Sequence, residues 1–266
     1  MNILAFFAHP DDETILVGGT LALLAQGGHR VHYLCATRGE GGERGEPPLC
    51  RQEELGEVRA AELHCAVRAL GGSSLTFLDY VDPAMGTQGE LYPYTEDIPS
   101  LAEQVIAHLR RLDIDMLISH GSNGEYGHPA HLVTYQAVLK TIEQLGEEAP
   151  LVYTVSATFP EHPKPHIANR DDPADVIVDI AAVFAIKVQA ALCHRTQHAL
   201  FVRRPSKEAG RRLSVLEVLM RLESLRRLHP RCLPQGSDPL EQALRPWLKR
   251  KGVASAAGSF RKGIRA

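Results

Sequence analysis

The chain begins with a short apolar run that ends abruptly in an acidic turn. The run Ile3-Leu4-Ala5-Phe6-Phe7 has the length and composition of a buried strand. The residues His9-Pro10-Asp11-Asp12-Glu13 follow, and apolar residues with helical spacing resume after Thr14. The sequence therefore predicts that one imidazole and three carboxylates lie in a strand-to-helix turn, at the carboxyl end of a strand. Open α/β sheets bind their ligands at that edge.

This acidic turn has two interpretations. Three carboxylates and a histidine within five residues repel one another and are costly to remove from water, and a bound metal ion would offset that cost. Alternatively, the turn is solvated, and Asp11 or Asp12 is the N-cap of the following helix. The turn by itself favours neither interpretation.

The rest of the chain alternates between strand-like and helix-like segments. Gly27-Gly28 ends the first helix, and residues 30–36 form a second apolar run. This strand–helix–strand order indicates a right-handed crossover and a parallel sheet. Further strands are predicted at 75–78, 115–119, 151–157 and 175–180, and further helices at 49–70, 98–112, 132–145 and 181–192. The pattern predicts an α/β fold with a mostly parallel sheet.

The end of the chain has a different character. Residues 205–266 are basic, and leucines recur every three residues from Leu213 to Leu228. A period of three falls short of 3.6, so the pattern predicts a helix with an apolar stripe that winds around it. We expect residues 1–204 to form the main domain. We expect residues 205–266 to form a C-terminal helical extension that packs on this core or on a neighbouring subunit of a homo-oligomer.

Composition and charge exclude several classes of protein. A hydrophobic content of 44% and a charged content of 23% are typical of a globular protein, and a net charge of -3 gives no indication of a nucleic-acid partner. No apolar run approaches the roughly 18 residues of a membrane span, and the N-terminus lacks the pattern of a signal peptide. The cysteines are scattered without a CxxC pair, which we interpret as reduced thiols of a cytoplasmic protein. They are Cys35, Cys50, Cys65, Cys193 and Cys232.

A second polar cluster follows the fourth predicted strand and runs His120-Gly121-Ser122-Asn123-Gly124-Glu125-Tyr126-Gly127-His128-Pro129-Ala130-His131. His9 and Asp12 are three residues apart, as are His128 and His131, so each pair can point one way from a turn. Two such turns in one parallel sheet would meet at its carboxyl edge and supply His, Asp and His. Catalytic zinc sites use three ligands of this kind and leave a position for water. The pattern therefore predicts hydrolysis by a zinc-bound water.

The ordered set of motifs resembles the LmbE/PIG-L family of zinc-dependent de-N-acetylases. The resemblance depends most on Ala8-His9-Pro10-Asp11-Asp12-Glu13 and Gly127-His128-Pro129-Ala130-His131. It covers about residues 1–200 and implies a Rossmann-like three-layer sandwich. It also implies removal of the N-acetyl group from a GlcNAc-type sugar conjugate, a small-molecule substrate. The segments that resemble the family's intermediate and closing motifs are residues 37–41, 59–62, 69–71, 77–82, Lys187 and residues 194–197.

The resemblance also implies roles for individual residues. His9, Asp12 and His131 would bind one Zn²⁺ per chain, and Asp11 would be the general base. Protonated His128 would stabilise the oxyanion or protonate the leaving amine, since a histidine can carry the positive charge that an oxyanion attracts. His194 would orient a group of the site, or else be a histidine favoured by the dipole at a helix C-terminus. The residues implied in substrate binding are Glu40, Arg59, Asp82 and Tyr126, and ordinary surface polarity is the alternative for them.

One position departs from the family pattern. Ala130 stands where the family usually has an aspartate that is thought to orient the catalytic histidine and raise its pKa. We expect His131 to remain a ligand, and either another carboxylate to take over or the enzyme to work at lower pH. The substitution also leaves open a metal- and sugar-binding protein with weakened catalysis. A metal-dependent amidase or phosphoesterase would use the same ligands.

Overall fold

A central sheet with helices on both faces organises the computed structural model of the chain, which describes residues 1–249. The strands within this part are β1 (Asn2–Phe7), β2 (Arg30–Thr37), β3 (Ser74–Tyr80), β4 (Met116–Ser119), β5 (Leu151–Val155), β6 (Ala157–Thr158), β7 (Asn169–Pro173), β8 (Val176–Asp179) and β9 (Leu222–His229). The helices are α1 (Asp12–Gln26), α2 (Leu55–Ala69), α3 (Ile98–Arg111), α4 (Gly124–Gly127), α5 (Pro129–Leu145), α6 (Phe184–Cys193), α7 (His198–Ala209), α8 (Val215–Val218) and α9 (Pro239–Leu244).

The main sheet has seven strands in the order β3-β2-β1-β4-β5-β9-β8. Strands β1 to β5 pair in parallel, whereas β9 runs antiparallel to both β5 and β8. The order 3-2-1-4-5 is that of doubly wound α/β folds, which place ligands at the carboxyl ends of their strands. The predicted α/β fold with a mostly parallel sheet is therefore confirmed.

Strand β1 lies at the centre of the sheet and is buried on both faces. Its alternate residues enter two different apolar cores: Ile3, Ala5 and Phe7 belong to one, and Leu4 and Phe6 belong to the other. Helices α1, α2 and α6 pack on the first face, and α3 and α5 on the second. Burial on both faces explains why β1 is an uninterrupted apolar run instead of an alternating one. The arrangement is the expected three-layer sandwich.

The predicted helix with a winding leucine stripe is wrong. Residues 215–218 form the short helix α8, and residues 222–229 form strand β9, which pairs with β5 and β8 inside the main sheet. Leu225 is fully buried in the core beneath the sheet. The C-terminal part is therefore no helical extension over these residues, because β9 is integral to the sheet. Residues 250–266 of the predicted extension lie outside the described residues.

The prediction that all five cysteines are free thiols is wrong for two of them. Cys65 in α2 and Cys193 at the end of α6 form a disulfide, with their Cα atoms 5.7 Å apart. The two helices pack side by side on one face of the sheet, which brings together residues that are 128 positions apart in the chain. Sequence spacing alone does not encode such a contact. Cys35, Cys50 and Cys232 are free.

A buried ion pair joins β9 to the helices on the same face. Lys187 Nζ in α6 donates to Glu223 Oε1 in β9 at 2.7 Å and to the carbonyl of Ile15 in α1 at 3.0 Å. Glu223 also accepts hydrogen bonds from the N–H groups of Gly19 and Thr20 in α1. Both charged side chains are fully buried, and each is satisfied by the other and by α1. The pair thus fixes α1, the helix that begins in the acidic turn, against the sheet.

We predict that Lys187→Met destabilises the protein by about 3–5 kcal/mol, because it leaves the Glu223 carboxylate buried without a counter-charge. The measurement is the free energy of unfolding in urea. The double variant Lys187→Met/Glu223→Gln removes the uncompensated charge and keeps an oxygen for the α1 amides, so it should regain part of the loss. A loss below about 1 kcal/mol in the single variant would contradict the role given to this pair.

Candidate metal and active site

The carboxyl ends of β1 to β4 bring the predicted site residues to one edge of the sheet. The acidic turn follows β1, Glu40 follows β2, Asp82 follows β3, and the second polar cluster follows β4. The backbone of Ala8 links three of these segments. Its N–H donates to His120 Nε2 at 3.0 Å, and its carbonyl accepts from the N–H and hydroxyl of Thr37. The two clusters that lie far apart in the sequence thus meet in the structure.

The acidic turn depends on an unusual backbone conformation at Asp11. Its φ of 122° is rare for a residue with a side chain, and such positions cost of order 1–3 kcal/mol. Local hydrogen bonds offset this strain. The Asp11 N–H donates to Glu13 Oε2 at 3.0 Å, and the Asp11 carbonyl accepts from the N–H groups of Thr14 and Ile15 at the start of α1. The Asp11 side chain makes no capping bond, so its carboxylate is available to other groups.

The Asp12 carboxylate contacts three imidazoles, and its Oδ2 lies 3.4 Å from His120 Nε2. Its Oδ2 is 3.5 Å from His9 Nδ1, and its Oδ1 is 3.3 Å from His131 Nε2. The second nitrogen of each ring contacts another carboxylate: His9 Nε2 lies 3.2 Å from Asp82 Oδ1, and His131 Nδ1 lies 2.6 Å from Glu125 Oε2. Each outer carboxylate accepts the N–H of its ring. His9 Nδ1 and His131 Nε2 therefore both turn towards Asp12.

This donor set fits a divalent cation. His131 Nε2 is buried and has no hydrogen-bond partner, which is unusual for a ring nitrogen in a protein interior. Two overlapping groups within residues 1–249 place ligand atoms within 4.8 Å of one another, and both contain His131. The predicted ligands His9, Asp12 and His131 are distributed over these groups, and His120 and His128 complete them. Two imidazoles and a carboxylate are the ligand types of catalytic zinc sites.

The electrostatics of these groups are strongly coupled. Burial alone would lower the pKa of His9 and His131, but hydrogen bonds and charge interactions with carboxylates raise the pKa of His9 to about 9 and that of His131 to about 10. Burial would raise the pKa of Asp12, but His131 and His120 hold it well below its ordinary value. Because metal ligands bind in their deprotonated form, a cation would displace the two imidazole protons and take over their charge.

Arg59 lies beside Asp11 and is almost completely buried. Its guanidinium donates to the carbonyl of Pro10 at 2.7 Å and to the carbonyl of Gly39 at 3.0 Å, and lies 3.7 Å from Asp11 Oδ1. Burial raises the pKa of Asp11 to about 6, although the charge of Arg59 opposes the shift. The residue that was predicted to bind substrate thus holds the acidic turn against the loop after β2.

His128 takes a different position from the other histidines. It precedes α5, and its Nδ1 accepts a hydrogen bond from the Ala130 N–H at 3.2 Å, so it is the N-cap of that helix. No carboxylate among the described residues forms a hydrogen bond with it. Burial and the neighbouring His131 and His9 lower its pKa to about 3. Because the Ala130 N–H occupies Nδ1, Nε2 is the nitrogen of the predicted acid that can carry a proton towards the site.

The remaining predicted substrate-binding residues have protein partners or open surface. Glu40 Oε2 accepts from the backbone N–H of Asp82 at 3.0 Å, and Asp82 in turn holds His9. The Tyr126 side chain is 58% exposed, and its ring centroid lies 5.6 Å from that of His128 and from that of His131. Tyr126 is thus at the rim of the site, where a ligand would meet it.

His194 is fully buried, and its Nε2 lies 3.1 Å from Glu13 Oε1. Glu13 is the residue that accepts the Asp11 N–H, so the chain His194–Glu13–Asp11 extends from the end of α6 into the acidic turn. Interactions with Glu13 raise the pKa of His194 against the effect of its burial. His194 thus contacts the acidic turn through Glu13, and its role in orienting a group of the site stays a prediction.

His120 and Glu125 have no predicted role from the sequence. Both lie in the second polar cluster, and both are buried next to the predicted ligands. His120 Nδ1 and His131 Nδ1 donate to the same oxygen of Glu125, at 2.9 and 2.6 Å. Burial alone would raise the pKa of Glu125, but these two imidazoles hold it far below its ordinary value. The only signal in the sequence was a histidine at the end of a strand and a glutamate before Tyr126.

Comparison with other sequences identifies a matching family and relatives that are named as deacetylases. Residues 4–142 match the PIG-L family, described as GlcNAc-PI de-N-acetylase. A probable N-acetyl-alpha-D-glucosaminyl L-malate deacetylase 2 of Bacillus cereus is 30% identical over 199 residues, which cover 74% of this chain and 83% of the relative. A 1D-myo-inositol 2-acetamido-2-deoxy-alpha-D-glucopyranoside deacetylase of Rhodococcus jostii is 30% identical over 237 residues, which cover 74% of this chain and 81% of the relative.

Comparison with solved structures supports the fold. The N,N'-diacetylchitobiose deacetylase of Pyrococcus horikoshii superposes with a TM-score of 0.58 at 21% identity and covers 85% of this chain and 83% of its own. GalB, a 4-carboxy-2-hydroxymuconate hydratase of Pseudomonas putida, superposes with a TM-score of 0.59 at 21% identity, over 87% of this chain and 98% of its own. The same fold therefore occurs in enzymes with different chemistries, so the residues of the site, and not the fold, determine the function.

We predict that Arg59→Met destabilises the protein by roughly 3 kcal/mol, because the buried carbonyls of Pro10 and Gly39 lose a charged donor. Arg59→Lys keeps a cation that can reach one of the carbonyls, and should lose less. The measurement is the free energy of unfolding in urea. Arg68→Met, on the exposed side of the same helix, is the matched control and should change stability by less than about 0.5 kcal/mol. Equal effects at the two positions would contradict this account of Arg59.

Proposed function

The chain belongs to the PIG-L family, and we propose that it is a zinc-dependent N-deacetylase that hydrolyses the N-acetyl group of a GlcNAc-type sugar conjugate. The family and the named relatives support the reaction class. One observation in this chain carries the assignment of the site: His131 Nε2, which has no hydrogen-bond partner, faces Asp12 Oδ1, and His9 Nδ1 faces Asp12 Oδ2. We assign His9, Asp12 and His131 as the ligands. When bound, the cation would polarise the amide carbonyl and make a water nucleophilic near neutral pH.

Asp11 is the group that we assign as the general base. Its carboxylate is adjacent to the ligand Asp12 and is not used to cap α1. A carboxylate with a pKa near the working pH both accepts and returns a proton efficiently. We propose that Asp11 takes a proton from the attacking water and delivers it to the nitrogen as the C–N bond breaks. The products are acetate and the free amino sugar conjugate.

His128 has a different proposed role from the protonated acid implied by the resemblance. Its Nδ1 accepts the Ala130 N–H, which leaves a proton on Nε2 of a neutral ring. A neutral imidazole N–H can donate a hydrogen bond to the oxyanion, and such a donor is worth about 100- to 1000-fold in rate. The amine proton would then come from Asp11. Tyr126, at the rim of the site, is a second candidate for contact with the sugar.

The substrate class is a GlcNAc unit with a second component attached. The relatives named above act on conjugates with malate and inositol, respectively. In this chain, the segments that would contact such a component are the loops over residues 40–48, 83–97 and 158–175. The last of these begins at the end of β6 and contains β7, which pairs with β6. Asp82 and Glu40 position the ligand His9, and we propose that their exposed edges also border the sugar.

No helix within residues 1–249 has the length and apolar character needed to cross a membrane. We further propose a cytoplasmic location, with a small molecule as substrate. The homo-oligomer stays a prediction. The leucine-striped helix on which this prediction was based does not form, because residues 222–229 are strand β9.

We predict that the purified protein releases amine from GlcNAc-malate or GlcNAc-inositol and loses this activity after treatment with a chelator. Zinc should restore it. The measurement is primary amine formation, with a phosphate ester and a larger amide as alternative substrates. If the protein cleaves the phosphate ester or the larger amide and leaves the N-acetyl sugars intact, it is a phosphoesterase or an amidase instead. Zinc and sugar binding without amine release would show the catalytically weakened binding protein.

We predict that two adjacent aspartates have separable roles. Asp12→Asn should lose both zinc binding and activity, because it removes the charged ligand. Asp11→Asn should still bind zinc but lose activity by at least about 100-fold, because it removes the base. Metal content and amine release measure the two effects. Asp113→Asn is the matched control, since Asp113 lies before β4 at the opposite edge of the sheet and has a φ of 50° that asparagine tolerates. Loss of zinc in both site variants would contradict the separation.

A further inference from the structure

Glu125 is a buried carboxylate that touches one proposed ligand directly and reaches a second through His120. We propose that Glu125 is a positioning residue that sets the tautomer of His131 and ties together the two turns that hold the metal. This inference rests on the proposed zinc site. It concerns how this chain orients the ligand His131, and not the catalytic histidine that the family's aspartate is thought to orient.

Four donors surround the Glu125 carboxylate. Oε2 accepts from His120 Nδ1 at 2.9 Å and from His131 Nδ1 at 2.6 Å. Oε1 accepts from the Gly121 N–H and from Asn169 Nδ2, each at 3.1 Å. The side chain is fully buried. Every neighbour at hydrogen-bond distance is a donor, so the position requires a group that only accepts, which is an ionised carboxylate.

The backbone holds Glu125 in place at the expense of strain. Its φ is 59° with ψ of -69°, a conformation that residues with side chains rarely adopt. The Oδ1 atom of Asn169 accepts the N–H groups of Asn123 and Glu125, while its amide donates to the carbonyl of Val155 at the end of β5. Asn169 thus anchors the strained turn to the sheet. Strained backbone that its surroundings hold so firmly is typical of functional sites.

The hydrogen bond from His131 to Glu125 determines which nitrogen can bind a cation. When His131 gives up the second proton of its charged ring, the remaining proton stays on Nδ1 in the hydrogen bond to Glu125, and the lone pair is on Nε2. This atom is buried, has no hydrogen-bond partner and lies 3.3 Å from Asp12 Oδ1. Metal-bound histidines commonly donate their other N–H to a carboxylate, which fixes the ring and its tautomer. Glu125 provides that carboxylate here.

His120 extends the effect to the other half of the site. Its Nδ1 donates to Glu125, its Nε2 accepts the N–H of Ala8, and its ring stacks on that of His131 at a centroid distance of 4.0 Å. Ala8 is the residue before His9. One carboxylate therefore fixes the ring of His131 and, through His120, the end of β1 from which His9 projects.

Ala130 itself does not provide a polar contact. Its side chain is fully buried in the apolar core on the second face of the sheet, together with Val133 and Leu101. The chain thus has no carboxylate at position 130, and the carboxylate at the proposed metal site is that of Glu125, five residues earlier. The partner of Glu125 is His131, not His128, so the carboxylate orients a ligand and does not charge the proposed oxyanion donor.

The test exploits the difference between a carboxylate and an amide. In Glu125→Gln, the NH₂ group must face either the two imidazoles or Gly121 and Asn169, all of which donate to the wild-type carboxylate. The imidazoles can adapt only if His131 moves its proton from Nδ1 to Nε2, and that change blocks the ligand atom. We expect Glu125→Gln to bind Zn²⁺ about 10- to 100-fold more weakly than the wild type, measured without substrate by competition with a chromophoric chelator.

Two further variants make the result specific. Glu62→Gln is the matched control, because Glu62 is also buried and accepts from the N–H and hydroxyl of Thr196, a hydroxyl that can instead accept from an amide. It should bind zinc like the wild type. Glu125→Asp keeps the charge and should lose less zinc affinity than Glu125→Gln. The absorption spectrum of the Co²⁺-loaded protein should likewise differ from that of the wild type less in Glu125→Asp than in Glu125→Gln.

Unchanged zinc affinity in Glu125→Gln would overturn the proposal, as would equal losses in Glu125→Gln and Glu62→Gln. If Glu125→Gln does not fold, as judged by its melting temperature without metal, Glu125→Asp decides. Weaker zinc binding than in Glu62→Gln would then support the proposal, and equal binding would overturn it. The proposed function fails separately, if the wild type binds zinc but releases no amine from any GlcNAc conjugate.

Discussion

The carboxylate of Asp12 is the contact on which the geometry of the site depends. Three histidines approach it: His9 from the same turn, and His120 and His131 from segments more than a hundred residues later. Each has a ring nitrogen 3.3 to 3.5 Å from an oxygen of Asp12. Several side chains that can each bind a cation thereby lie together in one buried site. Such a buried cluster is unfavourable unless the negative charge of its carboxylates is balanced. Protons on the imidazoles, or a divalent cation bound to the same atoms, can balance it.

The fold supports this arrangement with buried polar contacts around the acidic turn and the second polar cluster. Lys187 and Glu223 fix α1 from the side of β9, Glu13 and His194 hold the turn at Asp11, and Glu125 holds His131. The first two pairs join segments that are far apart in the sequence, and the third lies within the second polar cluster. Unpaired polar groups are costly in such an interior, and most members of the network are therefore held by more than one hydrogen bond.

Much of the fold was predictable from the sequence, because parallel strands buried on both faces are continuous apolar runs and the helices between them carry a regular period. The turn after β1 was predictable for the same reason, since it follows the clearest run in the chain. Strand β9 was not, because leucines spaced by three are compatible with a helix. The partners that make it a strand, Lys187 and β5, are distant in sequence. The Cys65–Cys193 disulfide was missed for the same reason. His120 and His131 are close to Glu125 in sequence, but their contacts with it depend on the turn that the distant Asn169 holds. The residue types of the site were visible in the motifs, but which oxygen faces which nitrogen depends on tertiary structure.

The central claim is that one zinc ion binds between the two turns at Asp12. The most direct measurement is anomalous diffraction at the zinc edge from crystals of the zinc-loaded protein. The account predicts one peak per chain at about 2.0–2.2 Å from His9 Nδ1, from an oxygen of Asp12 and from His131 Nε2, with Glu125 still bonded to His131 Nδ1. A peak that lacks Asp12, or one bound through His120 or His128 in place of His9, would contradict it.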